Sequence, residues 1–156
     1  MSEAALWDTL RVGMGGLWHA QRHEDKHSTS IPDVSYAMGS VDGWIELKYM
    51  NEVGTARGLN SKAFDFHRDH FPEEQRNWLT ERARRGAGNV FVICRFDGYL
   101  HKDGRATAIW LWRDLSKSLG RWSMRSIIED HSAAWWSGSI HFGELTRVLY
   151  NRGAGK

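Results

Sequence analysis

The sequence predicts a single α/β domain in which a central mixed β-sheet is flanked by helices. Three observations carry this expectation: a helical apolar pattern opens the chain, period-two strands follow it, and a second helical pattern leads into a continuous apolar run. The order helix, three strands, helix, two strands and a mixed remainder is that of an α/β layer architecture. The 156 residues suffice for one core and are too few for two comfortable ones.

Each element has a local cause. Ser2 can cap a helix whose apolar positions Ala5, Leu6, Leu10 and Met14 recur at helical spacing, with Glu3 and Asp8 on its early turns; Gly13, Gly15 and Gly16 end it. Leu17 to Arg22 reads as a strand and His23 to Ser30 as a loop closed by Pro32. Val34 to Met38 alternates, Gly39 to Gly43 is turn chemistry, and Trp44 to Met50 alternates again, which predicts two neighbouring antiparallel strands. Asn51 to Phe71 lacks periodicity and reads mostly as loop.

Pro72 at a first-turn position, Glu73 and Glu74 near the positive end of a helix dipole, and apolar Trp78, Leu79 and Ala83 predict a helix ending at Gly86 or Gly88. Val90 to Phe96 is a short apolar strand, expected to be central. Ala106 to Trp112 is another strand and Arg113 to Leu119 a short helix. Ser126 to Asp130, Trp135-Trp136 and Phe142 to Tyr150 suggest one or two further short elements. These boundaries place the core at about residues 1–112 and leave 113–156 as a tail, a candidate dimerisation element.

Composition excludes some classes. Twenty-one Lys and Arg against nineteen Asp and Glu give a net charge of +2, so any nucleic-acid binding has to come from local patches. The lone cysteine, Cys94, lies in an apolar run and reads as a buried thiol, and no disulfide can form within the chain. No leader pattern and no membrane-spanning apolar stretch is visible, so a soluble cytoplasmic protein is expected, in the host cytoplasm for a phage-encoded chain. The nine Trp are scattered and read as packing residues.

The chemistry concentrates in three residues. Asp33 begins one strand, while Glu46 and Lys48 lie two apart on the next and share a face. A hairpin between these strands brings Asp33 toward Glu46. Two such carboxylates, with the carbonyl of Leu47 as a further oxygen, suit Mg²⁺. Lys48 would orient the attacking water or stabilise charge on a phosphate. Taken alone, Pro-Asp and Glu-x-Lys also describe a turn and a solvated strand. Here, however, the opposite face of the Glu46 strand carries Ile45, Leu47 and Tyr49, and Trp44 and Met50 share the Glu46 face. Ionisable groups in a strand apolar on both faces need a reason.

With these motifs the chain resembles the PD-(D/E)xK nucleases, most closely their VRR-NUC and Holliday junction resolvase branches. The likeness lies in Ser2-Glu3 opening a helix, Pro32-Asp33, Glu46-Leu47-Lys48, and the helix Pro72-Glu73-Glu74-Gln75-Arg76-Asn77-Trp78-Leu79 followed by Gly88 and Val90-Phe91-Val92-Ile93. It covers roughly the first hundred residues and departs at Ser30-Ile31, where a VRR-NUC glycine is usual. The resemblance implies a restriction-endonuclease-like core and a Mg²⁺-dependent DNA endonuclease, with Mn²⁺ able to substitute. It further implies branched DNA such as Holliday junctions as substrate, and a homodimer. It makes Glu3 a metal ligand and has Gln75 position Lys48 or the scissile phosphate. Glu3 equally reads as a dipole or cap partner of its own helix, and Glu24 is the alternative upstream ligand. Two other readings stay open: a restriction- or repair-type nuclease on duplex or flap DNA, and a non-catalytic nucleic-acid-binding accessory protein.

His19, His23 and His27 recur at four-residue spacing, yet they sit in a strand-and-loop context without a second ligand cluster, so a zinc site is set aside. His67 and His70 with Asp65 and Asp69 read as a solvated loop. For DNA backbone contacts the candidates are Arg76, Arg82, Arg84 and Arg85 on the glutamine helix, with Arg57 and Lys62 ahead of it, and Arg121 and Arg125 as a second patch.

Overall fold

The computed structural model describes residues 2–24, 32–51, 53–54, 59, 66, 70–86, 89–119 and 121–153. Helix α1 (Glu3–Met14) is capped by Ser2, whose side chain accepts from the Ala5 N–H at 3.2 Å, and it buries Leu6, Leu10 and Met14. Gly13 lies inside this helix, and the chain leaves it at Gly15, whose φ of 52° favours glycine. A 3₁₀ turn at Gly15–Leu17 then shortens the strand expected from Leu17, so that β1 is His19–Arg22.

Strands β2 (Val34–Met38) and β3 (Val41–Met50) form the expected hairpin. The turn is tighter than the sequence suggests: only Gly39 and Ser40 intervene, with Gly39 at φ 59°, and β3 starts at Val41 rather than Trp44. Helix α2 (Glu73–Arg85) follows Pro72, which stands just outside it as the N-cap residue. Strands β4 (Val90–Asp97) and β5 (Arg105–Leu111), helices α3 (Trp112–Ser118) and α4 (Met124–Glu129), strand β6 (Ala134–Ser137) and helix α5 (Phe142–Gly153) follow in the described residues.

The six strands lie in chain order, with β3 and β4 parallel and every other pair antiparallel. A parallel pair needs a crossover, and the segment carrying α2 supplies it. Helices α1 and α5 cover one face, where Leu6, Leu10, Leu145 and Leu149 meet Ile45, Leu47, Phe91, Ile93 and Ile109. Helices α2, α3 and α4 cover the other, where Leu79, Leu115 and Ile127 meet Val92, Cys94, Ala108 and Trp110. Strand β4, apolar on both sides, is buried almost throughout, and Cys94 is a buried free thiol.

Two expectations need correction. The core does not stop near residue 112: β6 pairs with β5, and α5 buries Leu145 and Leu149 beside α1. Nor is Asn51 to Phe71 simply loop, since Leu59, Phe66 and His70 are helical and Val53, Leu59, Phe66 and Phe71 are fully buried. Among the described residues no helix is long and apolar enough to cross a membrane.

The start of the parallel pair is a steric choke point. The Trp44 N–H donates to the Asn89 carbonyl at 2.9 Å, and a Cβ on Gly43 would lie 2.4 Å from that same oxygen. The obstacle is backbone, which cannot swing aside as a side chain can. Gly43→Ala should therefore destabilise the fold by about 1–3 kcal/mol, lowering the thermal midpoint by roughly 3–10 °C in a circular dichroism melt. An unchanged midpoint would show that β3 and β4 are not locked at this point.

Candidate active site

On β3 the side chains alternate between the two cores. Ile45 and Leu47 enter the α1–α5 core, while Glu46 and Lys48 point to the α2 side with exposures of only 3% and 7%. Charges this deep persist only when paired and hydrogen bonded. The pairing is local: Lys48 Nζ lies 3.0 Å from Glu46 Oε1. Gln75, buried on the first turns of α2, ties both together, accepting from Lys48 Nζ at 2.9 Å and donating through Nε2 to Glu46 Oε1 at 2.7 Å. The Lys48 ammonium also sits 5.1 Å from the centroid of the Phe71 ring.

Asp33 reaches this strand from its other side. The β2–β3 ladder ends at Val34 opposite Ile45, and the next β3 N–H facing that way, that of Leu47, donates to Asp33 Oδ2 at 2.8 Å. The N–H and C=O of one strand residue face the same neighbour, so the Leu47 carbonyl shares the side on which Asp33 lies. Glu3 comes from the first turn of α1, where the charges of Asp33, Lys48 and Arg22 bear on it. Glu24 is exposed and its carboxylate lies 3.7 Å from Arg22 Nη1.

Arg22 is the residue that reading the sequence passed over. It closes β1 opposite Val34, its side chain is a quarter exposed, and its charge acts on both Glu3 and Asp33. Its Nε is buried without a hydrogen-bond partner. The available signal was register: the last residue of β1 falls beside the residue after Asp33 once the meander is drawn.

Electrostatically the cluster is strained toward a counter-ion. Burial pushes the Glu46 carboxyl up to about 8, an effect that Lys48 opposes and that Asp33 and Glu3 reinforce. Burial likewise raises Asp33, against the Leu47 N–H, Lys48, a carboxyl–carboxyl hydrogen bond with Glu46 and the charge of Arg22, and raises Glu3, with Asp33 adding to the rise. Glu46 Oε2 is buried and has no partner. Among the described residues no three His, Cys, Asp or Glu side chains converge as a complete cation cage. Two carboxylates and a backbone carbonyl, those of Asp33, Glu46 and Leu47, would suit a hard cation that keeps several waters, as Mg²⁺ does.

The candidate DNA contacts divide. Arg76 is held by its own fold, donating through Nη1 to the Phe71 carbonyl at 2.6 Å. Arg84 and Arg85 are exposed but both pair with Glu81, at 3.0 and 2.7 Å. Arg82 is exposed and lies 5.9 Å from the Trp44 ring centroid. Arg57 and Lys62 lie outside the described residues, as do His27, His67, Asp65 and Asp69. His19 is exposed on β1, and His23 contacts Ser35 and Trp44.

No family model matches the chain, and no curated protein matches it. Among solved structures, Hjc, a Holliday junction resolvase of the archaeal hyperthermophile Archaeoglobus fulgidus, is similar with a TM-score of 0.47 and 14% sequence identity. The likeness covers 77% of this chain and 84% of that one.

The raised Glu46 carboxyl has a stability consequence. Between the ordinary glutamate value near 4.5 and about 8, the folded chain holds a proton that the unfolded chain releases. This contribution is fully present below pH ~4.5 and is lost as the pH rises through about 8. In EDTA the thermal midpoint should fall by several degrees from pH 5 to pH 9, and Glu46→Gln should flatten that part of the profile. Parallel profiles for the two proteins would remove Glu46 as the source.

Proposed function

We propose that this chain is a Mg²⁺-dependent DNA endonuclease that hydrolyses phosphodiester bonds in branched DNA, acting as a homodimer. The observation that carries the reading is the buried Glu46–Gln75–Lys48 network beside Asp33, with two unpartnered polar atoms of opposite kind around it. Glu46 Oε2 is an unpartnered carboxyl oxygen that a bound cation would hold ionised, and Arg22 Nε is an unpartnered donor that suits an anion. A phosphodiester with its metal ion supplies both.

Asp33 and Glu46, with the Leu47 carbonyl, would hold the ion, with Glu3 as the further acidic ligand. Bound Mg²⁺ supplies Lewis-acid polarisation of the phosphate and a water of lowered pKa, and Mn²⁺ offers comparable chemistry. The chain's own groups do the rest. Lys48 has three N–H donors, two of them engaged by Glu46 and Gln75, which leaves the third for a phosphate oxygen or the attacking water. Because both anchors are buried, the ammonium is oriented before substrate arrives, and that preorganisation favours the charged transition state. Arg22 adds a donor on the Asp33 side.

The branched substrate and the dimer follow the resemblance of the motifs to resolvases, and paired nicks across a junction call for two symmetry-related sites. Labelled four-way, flap, duplex and single-stranded DNA incubated with Mg²⁺, Mn²⁺ or EDTA test the reading. Cleavage of the four-way junction is expected with either metal and not with EDTA. Lys48→Ala, checked for folding by circular dichroism, should cut at least ~10²-fold more slowly while binding DNA normally. Absence of metal-dependent cleavage on every substrate sinks the enzyme reading, and duplex cut as readily as junction sinks the branched-DNA assignment.

A further inference from the structure

Next to the catalytic cluster, on the same face of the sheet, lies a hollow of about 220 Å³ lined by Ser35, Asp42, Trp44, Arg82, Asn89 and Val90. Trp44 stands two residues before Glu46, so its side chain follows the carboxylate at one repeat of the strand, roughly 6–7 Å away. The indole is half-buried and braced. His23, hydrogen bonded to Ser35 at 2.8 Å, lies against it with ring centroids 5.3 Å apart, and Trp78 meets it edge-on at 5.5 Å. The exposed Arg82 guanidinium lies 5.9 Å from its centroid.

Asn89 adds an independent signal. Its Nδ2 donates to the Asp42 carbonyl at 2.7 Å, which fixes the amide, whereas its Oδ1 is buried without any partner. The residue is 8% exposed. A buried acceptor in this position asks its neighbour for an N–H.

We propose that this hollow takes one unpaired nucleobase bearing an exocyclic amine, next to the scissile phosphate. The ligand class rests on the nuclease reading above; the choice of a base over a phosphate rests on the hollow itself. Braced indole and guanidinium planes are stacking platforms for the π-face of a base. The unsatisfied group is an acceptor, which repels phosphate oxygens and suits the exocyclic amine of adenine, cytosine or guanine, thymine having none. Only a base outside the helical stack can offer its face, so the substrate carries an unpaired nucleotide at or near the cut.

Binding of the full chain to fluorescent duplexes in EDTA tests this without cleavage. One duplex carries a single unpaired adenine or cytosine, and its twin carries an abasic residue at that place. The base-bearing DNA should bind roughly tenfold tighter, and Trp44→Ala and Arg82→Ala should each shrink that ratio toward one, with Trp44→Phe keeping most of it. Arg82 is exposed, so its replacement leaves the fold intact if Trp44→Ala does not. Because the readout is a ratio, a general loss of phosphate affinity cancels. Equal binding of the twins, or a ratio untouched by both alanine variants, overturns the pocket and leaves Mg²⁺-dependent cleavage standing. A base-dependent ratio without cleavage upholds the pocket and removes only the enzyme.

Discussion

A lysine and a glutamate lie side by side in the interior of a six-stranded sheet, and their hydrogen bonds to Gln75 are the interaction around which the site is organised. Each ion would be costly to bury alone, and the pair still needs its remaining lone pairs and protons satisfied. Gln75 can do this for both because a primary amide is donor and acceptor at once. That requirement reaches outward. Helix α2 has to cross this face with its first turns over β3, and the parallel pairing of β3 with β4 puts the crossover segment in position to do so.

The same network leaves a residue of unmet bonding, and its distribution is informative. Glu46 spends one oxygen on Lys48 and Gln75 and keeps the other bare, while Arg22 keeps a bare N–H across the cluster. Folded proteins rarely bury polar atoms unpaired, and these opposite deficits around one carboxylate cluster are what the proposed metal ion and phosphate would complete. The upward displacement of Glu3, Asp33 and Glu46 has the same origin: three carboxyls crowded out of water with fewer positive charges than they require.

The C-terminal third serves the site from a distance. Strand β6 extends the sheet beyond β5, and α5 lies beside α1, with the Phe142 ring packed against Gly13 and the Thr146 hydroxyl 3.5 Å from the Met14 sulfur. These contacts hold α1 on the sheet, and α1 in turn carries Glu3 to the cluster. The tail is thus part of the scaffold that sets the acidic residues.

Much of this was legible in the sequence because it is local. Capping by Ser2, the alternation of β2 and β3, and the apolar β4 follow from periodicity and short-range chemistry, and the shared face of Glu46 and Lys48 follows from a period of two. What lies between elements was not. That Gln75 faces inward, that Arg22 ends beside Asp33, that Asn89 keeps an unpaired oxygen near Trp44, and that β6 joins the sheet all depend on register and crossover between segments dozens of residues apart. Sequence determined which side chains share a face. Only the tertiary structure decided which faces meet, because that choice minimises exposed apolar area and unpaired polar atoms over the whole chain at once.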